Sequence, residues 1–316
     1  MAYSPTKKII GLIKISRPIH WVKNLGIFAA IIFSGDLFEK ALLLKVAYGF
    51  WVFNFASSAT YAFNDLIDAP RDRLHPIKKN RPLAKGDLST LEVAILAFVL
   101  AAISLIWANQ LSSLFFMLIL GYLFLQIAYS LVLKNIHVVD ILIIASGFII
   151  RVYSGAFIIN AHLSVWFLLC VVSIALFLAS GKRRAELGAM GKTGQTRKSL
   201  REYSKPLLNS YVTMFGNAAW MSWALFTFFE SPEASEPIWL FLAELSRTTT
   251  INKLLMSTVP VTIFGIMRYQ SLIFAERSEA PEKLLLTDKS LVTSVLIWII
   301  MVVWILYSGV AIHSTI

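Results

Sequence analysis

Of 316 residues only one is a cysteine, Cys170, and it lies in an apolar run. No intrachain disulfide can form, so the fold owes nothing to cross-links; the thiol reads as a small buried hydrophobe, and the redox compartment stays open. Histidine is nearly as sparse. His20, His137, His162 and His313 are scattered without metal-ligand spacing, which gives no support to a histidine-based metal centre; only His75, inside HPIKK, sits among polar residues. Charged residues make up just 15% of the chain against 57% hydrophobic, with a mean hydropathy of +0.70. These values exclude a soluble domain with a large core and indicate an all-α polytopic membrane protein. The first eighteen residues carry Lys7, Lys8, Lys14 and Arg17 but lack an uninterrupted apolar core and a small-residue cleavage site. They are expected to be a retained cytoplasmic segment, an amphipathic helix on the membrane surface rather than a signal peptide. Linkers and low-complexity tracts are also missing, which leaves one domain over residues 1–316.

Apolar runs of about twenty residues predict nine spans, near Ile19–Phe38, Ala41–Phe63, Leu91–Trp107, Leu111–Leu133, Val138–Ile159, Leu163–Gly181, Tyr211–Phe229, Leu254–Phe274 and Leu291–Ile312. The net charge of +11 sorts by side. On the side of the N-terminus stand five Lys and Arg up to Lys23, six between Asn64 and Ser89, Lys134 alone, eight from Lys182 to Lys205 and four from Arg268 to Lys289. The opposite side has only Lys40, Lys45, Arg247 and Lys253. By the positive-inside rule the N-terminus is cytoplasmic and the C-terminus outside, in a cell (inner or plasma) membrane. Basic residues interleaved with spans in this way argue for orientation and against nucleic acid. The outer connection from Glu230 to Lys253 holds an apolar piece, 237–245, expected to be a short interfacial helix.

Polar chemistry concentrates at 64–82, NDLIDAPRDRLHPIKKNRP, just after the second span. If the helix continues, Asp65, Asp68 and Asp72 fall at i, i+3 and i+7, within about 60° of one another. Three carboxylates on one face repel unless compensated, and oxygen-only ligands favour a hard divalent cation such as Mg²⁺. Arg71, Arg73, His75, Lys78, Lys79 and Arg81 follow as donors for phosphate oxygens, so metal plus anion suggests a diphosphate. The alternative is a solvated loop, acidic then basic, at a helix end. Pro70 bears on the choice, because an interior proline can rotate Asp72 off the shared face.

The motif NDxxDxxxD after a second span, with a second polar loop after the sixth, resembles the UbiA-type intramembrane prenyltransferase superfamily. That resemblance implies nine helices around a central cavity capped by cytoplasmic polar loops (64–89 and 182–205), a lateral opening for an isoprenoid chain, and a Mg²⁺-bound diphosphate on the aspartate motif. A typical member has a second aspartate-rich motif after the sixth span. Here that place reads SGKRRAELGAMGKTGQTRKSL, with Lys182, Arg183 and Glu186 instead. Together RPIHWVKN, NDxxDxxxDRxHPxKxxRP, GFxxRxxxGA, GKRxAEL and PEKLLLTDKSL look like the decaprenyl-phosphate phosphoribosyltransferase branch. The branch implies 5-phosphoribosyl 1-diphosphate as donor and a polyprenyl phosphate as acceptor, supplying precursors of cell-envelope polysaccharide. Chain length of the lipid, metal count and any homo-oligomer are left open.

The remaining candidates carry competing readings. Lys23 near a helix end can simply snorkel to the interface. The resemblance instead makes it a phosphate ligand, with Asn24 its polar partner and Asn64 part of the acidic motif. Asp140 and Arg151 share a face of the fifth span about three turns apart, too far to pair. Arg151 at that depth either binds an anionic substrate or neutralises a buried carboxylate. Lys182 and Glu186, at i and i+4, suit a plain ion pair or, beside the aspartate loop, a substrate site. Arg268 and Tyr269, with Glu282 and Asp288, lie on the cytoplasmic side and match the last motif of the branch.

The expected chemistry is substitution at the anomeric carbon with inversion. Asp65, Asp68 and Asp72 hold Mg²⁺, and Lys78 and Arg81 meet the departing diphosphate as oxocarbenium character develops. A polyprenyl phosphate is already an anion and needs no strong base. Prenyl transfer from a prenyl diphosphate to an aromatic acceptor is the alternative within the superfamily, and a transporter the alternative outside it. Transport fits less well because the charges gather at one interface rather than near mid-span.

Overall fold

The computed structural model describes residues 5–75, 78–193, 198–230, 251–275 and 286–307, and among these there is no strand. In chain order the α-helices are α1 (Pro5–Ser16), α2 (Ala29–Phe33), α3 (Lys40–Asp72), α4 (Pro82–Lys85), α5 (Thr90–Leu111), α6 (Ser113–Leu131), α7 (Val139–Ile159), α8 (Val165–Thr193), α9 (Lys205–Phe229), α10 (Val259–Phe274) and α11 (Lys289–Tyr307). Six of them, α3, α5, α6, α7, α8 and α11, contain a stretch long and apolar enough to cross a membrane. The piece at 237–245 lies outside the described residues, as do Glu282, His313 and the end of the ninth expected span.

The first expected span takes an unexpected form: Pro18–Phe28 is a 3-10 helix, followed by the five residues of α2. Its contacts explain the choice. Three residues per turn bring Trp21, Asn24 and Ile27 onto one face. Trp21 donates to Ser58, Asn24 donates to Asn54 and Ser57, and Ile27 lies against Gly49. Trp21 to Ile27 rises about 12 Å in 3-10 geometry, close to the roughly 13.5 Å from Ser58 to Gly49 along an α-helix. The tighter helix therefore keeps step with its neighbour.

Contacts divide the chain into two compact units, the first Met1–Ala29, Glu39–Ala161 and Met190–Tyr203, the second Ala30–Phe38, His162–Ala189 and Ser204–Ile316. In the first, Ile15, Ala62, Ala69, Leu83, Leu88 and Val93 join α1, α3, α4 and α5 in one apolar cluster. In the second, Phe177, Val212, Tyr269, Leu272 and Leu291 join α8, α9, α10 and α11.

Local signals set the helix ends. Ser89 and Glu92 form a reciprocal capping box at the start of α5. Ser112 caps α6 and Ser204 caps α9, each accepting from the backbone three residues on. α4 starts on Pro82 and ends at Gly86, whose φ of +88° suits glycine.

Candidate active site

α3 runs without a break through Pro70 to Asp72. Proline lacks an N–H and crowds the carbonyl four residues back, yet so near the helix end it interrupts little of the ladder. Asp65 and Asp72 consequently sit within about 20° of the same azimuth, with Asp68 about 60° away. The contacts follow this division. Arg81 places one nitrogen, Nη1, 3.1 Å from Asp65 Oδ1 and 2.6 Å from Asp72 Oδ2. Asp68 turns elsewhere, accepting from Lys134 Nζ at 2.7 Å and from Asn64 Nδ2 at 3.0 Å.

Arg81 owes its aim to the turn around it. It is the N-cap of α4, and Pro82 and Leu83, both buried, fix the chain beneath it. From the other side Arg17 donates to Asp65 Oδ1 at 2.5 Å, and its guanidinium lies 4.9 Å from the centre of the Tyr61 ring. Arg17 has φ +50°, a left-handed backbone that a non-glycine residue takes at a cost of about 1–2 kcal/mol. His75 accepts from the backbone N–H of Lys78 through Nδ1 at 3.2 Å. Lys23 and Lys78 are half-buried and Arg73 is exposed.

Asp140 is fully buried and receives Tyr203 Oη at 2.7 Å and Ser199 Oγ at 3.3 Å. Ser199 also donates to the carbonyl of Lys134, and the Tyr203 hydroxyl accepts from Val138 N. The segment 199–203 is thereby fastened to the 134–140 corner, and Lys134 is held where it reaches Asp68. Asp140, a substrate-group candidate on its sequence position, here fastens this corner.

Deeper in the same unit, Arg151 donates through Nε to Asn24 Oδ1 at 2.6 Å, through Nη2 to Tyr122 at 3.2 Å, and through Nη1 to the Gly147 carbonyl. Its guanidinium lies 5.2 Å from the Phe53 ring and 5.4 Å from that of Tyr122. Of the two roles open to Arg151, neutralising a buried carboxylate is not realised among the described residues. Neutral dipoles and ring faces surround it instead.

The second unit gathers the rest. Arg183 pairs with Glu186, one residue along from the Lys182–Glu186 spacing, and Arg184 donates to Asn209 at 2.7 Å. Lys182 is half-buried. Arg268 grips Asp288 with two bonds of 3.0 and 2.7 Å, and Asp288 also accepts from Leu291 N at the head of α11. Tyr269 is buried against Phe177, its ring edge and hydroxyl 2.8 Å from where a Cβ on Gly181 would stand.

The sequence matches the UbiA prenyltransferase family over residues 25–182, the stretch that carries the whole acidic motif. It is 34% identical to decaprenyl-phosphate phosphoribosyltransferase of Corynebacterium glutamicum, over 94% of this chain and 87% of that protein. The chain belongs to the UbiA prenyltransferase family. A protein of the same description from Mycolicibacterium smegmatis is 35% identical over 93% of this chain and 92% of its own length. In architecture the chain is like a UbiA homologue from Archaeoglobus fulgidus bound to GPP and Mg²⁺, with a TM-score of 0.67 at 18% identity, covering 96% of this chain and 100% of that one. The likeness establishes a UbiA-like, helical fold; membership of the family, together with six helices apolar and long enough to cross a membrane, makes the chain an integral membrane enzyme.

Within that fold the acidic donors suit a hard divalent ion in chemistry, and Asp65 and Asp72 already converge on one cation, Arg81 Nη1. Among the described residues, however, no three carboxylate, histidine or cysteine side chains converge on one point. The expected cluster of three is therefore a pair plus Asp68, because Asp65 and Asp72 share Arg81 while Asp68 turns to Lys134. Sequence reasoning missed Arg17 and Lys134. Arg17 was visible as an arginine beside Pro18, and Lys134 as a solitary cation between two spans, counted only for orientation.

Proposed function

We propose that this UbiA-family enzyme transfers 5-phosphoribose from 5-phosphoribosyl 1-diphosphate to a polyprenyl phosphate, releasing diphosphate. The observation that carries the reading is near full-length similarity to proteins named decaprenyl-phosphate phosphoribosyltransferase, at 34% and 35% identity. The second polar loop supports it. Lys182, Arg183 and Glu186 stand where a second aspartate motif is typical, and a reaction with three anionic groups (diphosphate, 5-phosphate and lipid phosphate) calls for cations there.

In this reading Asp65 and Asp72 hold Mg²⁺, with Asp68 beside them. Bound there, Mg²⁺ supplies positive charge that offsets the negative charge growing on the departing diphosphate. Arg81, Lys78 and Lys23 bind diphosphate oxygens; Arg73, His75 and Asn64 complete the rim; and Lys182 and Arg183 take the 5-phosphate or the lipid phosphate. The lipid phosphate oxygen attacks the anomeric carbon from the face opposite the leaving group, so the product is inverted. A chain of nine spans around a central cavity, with both polar loops cytoplasmic and the C-terminus outside, completes the proposal as one membrane domain.

The test is incubation of purified protein with polyprenyl phosphate, labelled 5-phosphoribosyl 1-diphosphate and Mg²⁺. A labelled lipid is expected, and Lys182→Ala or Arg183→Ala should weaken use of one substrate about tenfold or more, the scale of a lost charged hydrogen bond of about 1.5–3 kcal/mol. A protein that ignores this donor and prenylates an aromatic acid would overturn the reading in favour of prenyl transfer.

A further inference from the structure

Every carboxylate of the acidic motif meets a cation of the chain itself. Asp65 takes Arg17 at 2.5 Å and Arg81 at 3.1 Å, Asp72 takes Arg81 at 2.6 Å, and Asp68 takes Lys134 at 2.7 Å. Asp65, Asp72 and Lys134 are 3%, 4% and 2% exposed, so these attractions are screened far less than surface pairs. A divalent ion arriving alone has two options, and both are unfavourable. Displacing the guanidiniums, whose side chains are 21% and 25% exposed, leaves them without counter-ions in a partly buried setting, and standing beside them crowds like charges together.

A diphosphate removes the difficulty. Its oxygens offer the arginines new acceptors of matching fork geometry at the moment the carboxylates turn to the metal. Building on the Mg²⁺–diphosphate reading of the site, we infer that Arg17 and Arg81 make metal binding conditional on the diphosphate. They hold Asp65 and Asp72 until phosphate oxygens take the carboxylates' place, and metal and donor bind as a coupled pair. The coupling is reciprocal, so metal tightens donor by the factor by which donor tightens metal. Arg81 is the pivot, because a single nitrogen of it spans the two carboxylates. Arg17 is the second gate, reaching Asp65 from the N-cap position just before the Pro18–Phe28 helix.

The test uses full-length protein in detergent, as wild type, Arg81→Met and Arg17→Gln. Mn²⁺ binding is followed by the EPR signal of the free ion, corrected for Mn²⁺ complexed by the donor in solution, and radiolabelled 5-phosphoribosyl 1-diphosphate by equilibrium binding. Wild type is expected to bind Mn²⁺ about tenfold or more tightly with donor than alone, within the usual range of coupled sites. Each substitution should raise affinity for Mn²⁺ alone while lowering affinity for the donor. Opposite movement of the two affinities is the signature, since general damage to the site lowers both, and damage of that kind in both variants overturns the inference. The two variants sit on different segments, so one failing to fold leaves the other to decide. Wild type binding Mn²⁺ alone as tightly as with donor overturns the coupling and leaves the proposed reaction standing. Mn²⁺ bound under no combination overturns the coupling and the metal reading together.

Discussion

Lys134 donates to Asp68 at 2.7 Å, a buried ammonium reaching a carboxylate sixty-six residues earlier in the chain. The lysine is held in place at its backbone by Ser199. Removing one member of such a pair leaves an uncompensated buried charge. Lys134→Met is therefore expected to destabilise the first unit by about 3 kcal/mol, and Lys134→Met with Asp68→Asn to recover a substantial part of that loss. Thermal unfolding of the four proteins of the cycle measures the coupling, and additive losses would mean that the pair contributes little.

Asp65→Asn and Asp72→Asn should each abolish turnover while the protein still elutes and melts as a folded bundle. EDTA should do the same to the unaltered protein, reversibly on adding Mg²⁺. Near-normal rates in both variants would refute the metal assignment.

Arg151 fixes the orientation of Asn24, because its Nε–H demands the amide oxygen and so turns the Asn24 Nδ2 toward Asn54 and Ser57. Arg151→Leu leaves these buried groups short of partners, an expected loss of about 1–3 kcal/mol for an unsatisfied group. Arg151→Lys should recover only part, since one ammonium cannot reproduce a planar fork. Thermal unfolding in detergent reads both, and an Arg151→Leu protein as stable as wild type would remove the role assigned to this network.

Gly181→Ala should destabilise the second unit by about 1–3 kcal/mol, because the added methyl would stand 2.8 Å from the buried Tyr269 ring. The loss should appear in thermal unfolding before any change in donor affinity. A Gly181→Ala protein that melts with wild type would mean that Tyr269 can move away freely.

In a Cys170→Ser background, Asn80→Cys should react with an impermeant reagent only in inside-out vesicles, and Ser314→Cys only from outside. Labelling of the first from outside would reverse the orientation derived from the Lys and Arg distribution.

The helices around the acidic motif were legible because their signals are local: a long apolar run, capping serines and the i, i+3, i+7 spacing of Asp65, Asp68 and Asp72. The 3-10 form of Pro18–Phe28 was not, since nothing within that segment announces it; the form follows from keeping step with α3. Residues of the candidate site stand out in the sequence where they sit in dense polar stretches, as Arg81 does. Lys134 stood alone among apolar residues, and its meaning depends on a partner far away in sequence. Asp140 shows the converse difficulty: a carboxylate at a span end reads as functional, while its partners, Ser199 and Tyr203, lie in a distant connection with no recognisable spacing.

α3 also sets the height of the acidic motif. From Lys40 to Asp65 the helix rises about 37 Å, against a hydrocarbon layer of about 30 Å. With Lys40 at one edge of that layer, an upright or modestly tilted helix lifts the first carboxylate several ångströms past the other edge, to the level of the headgroups. A lipid phosphate anchored by its own tail already travels at that level. In the proposed reaction the acceptor could therefore approach by sliding sideways in the leaflet, its charged end in water-rich surroundings throughout, while the water-soluble donor would descend only to the membrane's surface.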